Sequence, residues 1–197
     1  MTAATLLEKK IVLRLFKDFT MDYNSSSIAK VLDKTRVGAF KALNSLEKDT
    51  IVKGRKLGKA KFYKINLEDE YARKNVETLL MEEAKNNIRW KDELSQLFEL
   101  TDIIILFGSI IRSEEKANDV DLLLVFNKKN NNKINDFIKE KNRLLIKKLH
   151  PIKQTRDDLR KNILKRDKVI IDAIKNGIVL HGHEKITGII KNVTSKE

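Results

Sequence analysis

Residues 103–126, IIILFGSIIRSEEKANDVDLLLVF, decide how the C-terminal half of this chain is read. Ile103-Ile104-Ile105-Leu106-Phe107 is a run of β-formers ended by Gly108-Ser109. After nine further residues Asp119-Val120-Asp121 opens a second apolar run, Leu122 to Phe126. The pattern predicts a strand, a Gly-Ser turn, a short helix and a strand carrying alternate carboxylates. Because side chains alternate across a strand, Asp119 and Asp121 fall on one face while Val120 and Leu122 turn to the core. Two carboxylates on one rigid edge form a hard, oxygen-rich site suited to Mg²⁺ or Mn²⁺. Gly108 lets a phosphate approach the backbone, and the Ser109 hydroxyl with the neighbouring N–H groups can hold phosphate oxygens. Arg112, within the next turn, adds a charge-assisted contact.

This constellation resembles the minimal nucleotidyltransferases of the DNA polymerase β superfamily, with their Gly-Ser motif and paired Asp-x-Asp, over residues 101–182. The resemblance implies Asp119 and Asp121 as catalytic metal ligands, and Gly108, Ser109 and Arg112 as the nucleotide-binding group. It also implies a nucleoside triphosphate (NTP) as substrate or ligand, and in-line attack on its α-phosphate by an acceptor. Two features depart from the family. Arg112-Ser113 stands where Arg-Gly is common, in a slightly shorter loop. Active members usually take a third carboxylate from a later strand, and the strand expected here, residues 144–154 (LLIKKLHPIKQ), has no acid. His150 and the pair Asp157-Asp158 remain for that role; the aspartates read first as helix caps and the histidine as a structural residue. Metal and nucleotide binding thus stand on more residues than turnover does. Beyond this, residues 134–146 and 159–176 read as helices, with Gly177 a C′ cap before the terminal strand Ile178-Val179-Leu180.

In the N-terminal part, Leu7, Ile11, Leu15 and Phe19 recur at four-residue spacing, one apolar helix face. Asn24, Ser25 and Ser26 offer N-caps for a short segment bearing Ile28, Val31 and Leu32, and Thr35 caps a third helix bearing Phe40, Leu43 and Leu46. Two strand-like runs, residues 51–55 and 61–65, flank Gly58. This order resembles the winged helix-turn-helix family over residues 5–67, most specifically in SLEKDTIVKGRKLGKAKFYKIN. The resemblance implies double-stranded DNA as partner, with Arg36, Lys41, Lys53, Arg55, Lys56, Lys59 and Lys61 near it and a symmetric homodimer as the reading form. Gly38 and Ala39 offer no side chain to base edges, which favours backbone contacts over direct readout.

Residues 68–100 form a helical connector, whose stripe Tyr71, Val76, Leu79 and Leu80 can pack on either domain or pair across a dimer. Over the whole chain of 197 residues the net charge is +13, and residues 1–67 carry fifteen Lys or Arg against six Asp or Glu. Such a field favours phosphate polyanions. Cysteine is absent, excluding disulfide frameworks, thiolate zinc sites and thiol catalysis. No apolar run approaches a spanning helix, so a cytoplasmic protein without membrane contact is expected.

The fold class read from these patterns is α+β in two domains: a winged helix-turn-helix (1–67), then a small α/β nucleotidyltransferase-type mixed sheet with flanking helices (101–184), ending in a weakly patterned tail (185–197). The function read with it is a DNA-binding protein whose second domain binds metal-NTP and transfers a nucleoside monophosphate or senses nucleotide. The alternatives are a nucleotidylating enzyme whose winged helix recruits a protein acceptor, and a catalytically dead transcription regulator.

Overall fold

The structure, a computed structural model, describes residues 4–195. The chain forms two compact units, Met1–Leu79 and Leu80–Glu197.

The first unit runs α1 (Leu6–Lys17), β1 (Tyr23–Asn24), α2 (Ser25–Val31), α3 (Arg36–Lys48), β2 (Val52–Leu57) and β3 (Ala60–Ile65). Each helix start is fixed by a side chain that satisfies an otherwise orphan N–H: Thr5 for α1, Asn24 for α2 and Thr35 for α3. β2 and β3 form the wing, closed by the two residues Gly58 and Lys59, with Gly58 at φ 61°. β1 adds a third strand against β3, a pairing too short to leave a sequence period. The Tyr23 hydroxyl on β1 donates to Asp18 Oδ2 at 2.5 Å, both residues being buried. Ile11, Phe16, Ile28, Leu43, Leu46 and Tyr63 fill the core. Two residues assigned above to buried stripes, Val31 and Phe40, are exposed.

α4 (Glu70–Lys85) follows. Val76, Leu79 and Leu80 are buried within the chain, so of the stripe considered for a dimer only Tyr71 is exposed.

The second unit contains α5 (Ile88–Glu93), β4 (Ile103–Phe107), β5 (Asp119–Val125), α6 (Asn131–Leu144), β6 (Lys148–Gln154), α7 (Arg156–Leu164), α8 (Lys168–Asn176), β7 (Ile178–His181) and α9 (His183–Thr194). The sheet order is β6-β5-β4-β7. β5 and β6 are parallel, as a crossover through α6 requires, and the other pairs are antiparallel, which makes the sheet mixed as expected. Ile104, Leu106, Val120, Leu122 and Leu124 pack with Trp90, Leu94, Leu97, Ile134, Phe137 and Ile138. The second half of the assigned connector therefore belongs to this core. α8 lies against β4 on the other face.

Four readings of this half need correction. The single helix expected over residues 159–176 is two, because Arg166 adopts φ 55° and Asp167 turns its carboxylate to Val169 N and Ile170 N, capping a new start. Gly177 has φ −77° and is no left-handed cap; glycine is needed because a Cβ would come 2.2 Å from Ala173 O and 2.6 Å from Ile105 Cγ2. The tail contains α9, with Ile186, Ile189, Ile190 and Val193 buried on one face. The later strand starts at Lys148 rather than residue 144, Leu144 closing α6 and Ile146 being 96% exposed. No helix of the described residues is long and apolar enough to cross a membrane.

Candidate metal centre

Asp119 and Asp121 lie at the start of β5, where the sheet register sets their neighbours. Asp121 stands between Phe107 of β4 and His150 of β6; Asp119 stands beside Lys148. Asp119, Asp121 and His150 each offer a donor atom within 4.8 Å of the others. The His150 Nδ1 is 3.4 Å from Asp121 Oδ1, and its side chain is 75% exposed. His150 is thus not the internally satisfied residue expected from the sequence. It stands on the later strand, opposite Asp121, where the resemblance led an acid to be expected.

The surroundings keep this trio open. Lys148 does not neutralise Asp119: its Nζ donates to the carbonyls of Asn142 at 2.6 Å and Leu145 at 2.8 Å, at the end of α6. The Asn142 side chain accepts from Leu149 N at 2.7 Å and donates to Leu149 O at 3.1 Å. That two-point clamp fixes the backbone next to His150, a positioning role no local motif reveals.

Gly108 opens a short 3₁₀ turn, Gly108–Ile111, that packs against β5. Its φ of 80° favours glycine, and an added Cβ would lie 2.0 Å from Asp121 Oδ2. The missing side chain therefore makes room for the carboxylate, a reason beyond the phosphate approach given above. The Ser109 carbonyl accepts from Arg112 N at 3.0 Å and Ser113 N at 3.1 Å, carrying the chain into the loop. Arg112 makes no ion pair among the described residues. Lys147 Nζ donates to the carbonyls of Ala117 and Glu115, and Arg89 pairs with Glu114, so both flanks tie the loop down.

Asp157 and Asp158 are far from the trio. They follow the other end of β6, where Gln154 pairs with Val125, four register steps from His150 and Asp121 and so about 13 Å away along the strand. Asp158 forms a capping box with Thr155, whose hydrogen bonds hold its carboxyl below the usual range. At this end Asp102 accepts from Arg156 and Lys185, which with Arg156 foremost bring its pKa down to about 2. This cluster joins the entrance of β4 to α7 and α9.

In the first unit Arg36 and Lys41 on α3, and Lys53, Arg55, Lys56 and Lys59 on the wing, are all exposed. Lys61 differs from the expectation. Its Nζ lies 2.5 Å from Glu47 Oε2, and that bond raises its pKa. Glu47 also accepts from Gly54 N at 3.2 Å, so it pins the wing to α3. Ala39 is buried and Gly38 sits against Thr35, while Arg36, Val37, Phe40, Lys41 and Asn44 face outward.

Residues 88–181 match the family model described as nucleotidyltransferase domain. The matched segment opens at α5, closes at β7 and contains Asp119, Asp121 and His150. Among solved structures, the adhesin competence repressor AdcR from Streptococcus pyogenes is similar at 14% identity and a TM-score of 0.38, over 58% of this chain and 84% of that one. At that score it adds nothing to the fold described above. No match is found among curated proteins.

Proposed function

We propose that this chain is a DNA-binding protein whose nucleotidyltransferase domain binds a metal-NTP, with Asp119, Asp121 and His150 as the ligands of a divalent cation. The observation that carries the reading is the convergence of their three donor atoms within 4.8 Å. Ligand atoms each roughly 2.0–2.4 Å from one ion must lie within about that distance of one another. A cation bound there supplies positive charge against the triphosphate and the pyrophosphate that leaves. Ser109, the N–H groups of its turn and Arg112 hold phosphate oxygens on the side of β5 where Gly108 meets Asp121. Transfer, where it occurs, gives the acceptor a nucleoside monophosphate and releases pyrophosphate. The acceptor hydroxyl must lose a proton; with no acid on β6, His150 is the nearest base, and a base already spent on a cation is a poor one. Nucleotide binding is thus expected to outrun transfer.

Calorimetry with NTP and Mg²⁺ or Mn²⁺, run beside a labelled-transfer assay, tests this. The expected result is metal-dependent nucleotide binding that Asp119→Ala and Asp121→Ala each abolish, with slow transfer by the intact protein. Absence of metal-dependent binding would defeat the reading.

A further inference from the structure

We propose that Val37 and Phe40, exposed at the head of α3, read thymine methyl groups in the major groove, so that this protein prefers thymine-bearing DNA. The inference rests on the DNA-binding reading above and adds what the helix recognises. Val37 is 64% and Phe40 50% exposed. Three residues apart on a helix, they share a face, and Asn44 continues it one turn on. The stripe Ala39, Leu43 and Leu46 already supplies this helix's share of the core, which leaves the pair facing outward.

The chemistry around the pair selects the occupant. Together with Arg36, Lys59 and Lys61 the two residues line a groove of about 790 Å³ between α3 and the wing, and no carboxylate is among its lining residues. The single acid of α3, Glu47, is spent on Lys61 and Gly54 N. An apolar centre inside a cationic rim fits a surface that is anionic outside and apolar within. The major groove has that form, with phosphates at its edges and the thymine C5-methyl on its floor. Asn44 is suited to the adenine of the same pair, whose N7 and N6 accept and donate to one side-chain amide.

The test uses the intact chain and two duplex polymers, alternating poly(dA-dT) and alternating poly(dA-dU), which differ only in the C5-methyl. Covering one methyl favours the thymine duplex roughly fourfold, so one to two covered methyls predict about four- to fifteenfold tighter binding. Phe40→Ala should bring the ratio toward one without changing the salt slope, since no cation is removed, and Phe40→Leu should retain most of it. Equal affinity of the intact protein for the two duplexes, on a steep salt slope, would overturn thymine readout and leave DNA binding standing. No salt-dependent binding to either duplex would overturn both. Phe40 and Val37 make little of the core, so thermal melting of each variant should match the parent.

Discussion

A parallel strand pair places His150 opposite Asp121, and an imidazole at that position differs in its chemistry from a carboxylate. A neutral imidazole is a softer donor than a carboxylate and favours Mn²⁺ over Mg²⁺ relative to an all-oxygen site. Restoring the acid is the direct check. His150→Asp should shift the preference toward Mg²⁺ and raise nucleotide transfer by about 10²-fold or more if general-base assistance is what the site lacks; unchanged transfer would place the deficit elsewhere. Gly108→Ala should cost stability by about 1–2 kcal/mol for the left-handed backbone. It should also weaken metal binding, because the new Cβ displaces the Asp121 carboxylate it would meet at 2.0 Å. Asp119 and Asp121 were legible in sequence because alternation along one strand is local. The sequence could name His150 as a candidate but could not choose it over Asp157 and Asp158, since its place beside Asp119 and Asp121 depends on the register Asp121↔His150 across a crossover of more than twenty residues. The same holds for Asn142, which fixes that register from α6.

Elements show the same division between local and non-local information. Three helices, the wing and two central strands announce themselves through period and caps. The break between α7 and α8 did not, because Ile163 and Ile170 keep an apolar spacing that passes over the Arg166 turn. α9 does carry an apolar stripe at helical spacing, Ile186, Ile189, Ile190 and Val193. To that apolar packing the entrance of β4 adds charge, which no periodicity encodes: Lys185 of α9 and Arg156 converge on Asp102. The Asp102 pKa is lowered in the folded state to about 2 from an ordinary value near 3.9, so its contribution is complete above about pH 5 and is lost as pH falls through about 2. Asp102→Asn should destabilise this unit by about 1 kcal/mol at neutral pH, a figure already reduced because Arg156 is more than half exposed. In urea titrations at stepped pH the difference should shrink between about pH 4 and pH 2. A difference independent of pH would show that the pairs contribute packing and not charge.

At the scale of the whole molecule the distribution of charge makes the strongest demand. Fifteen cations against six acids in residues 1–67 account for +9 of the total +13, and the structure sorts them. Six of the seven cations assigned to DNA are exposed, whereas Lys61 is committed to Glu47. Each phosphate neutralised releases condensed counterions and lowers log K by about 0.9 per decade of salt. Six contacts thus predict a slope of about −5, and replacing Arg55, Lys56 and Lys59 together should bring it to about −2.7. Lys61→Ala should leave the slope where it was, because its charge is already balanced by Glu47 of α3, though the unit should lose some stability with the pin between β3 and α3. The measurement is binding to a duplex of fixed length across a salt series, with intact, triple-substituted and Lys61→Ala proteins compared. A slope near zero for the intact protein would remove DNA as the partner. An intact slope matched by the triple variant would move the contact away from the wing. A slope that falls with Lys61→Ala would show that the Glu47 bond gives way when phosphate arrives.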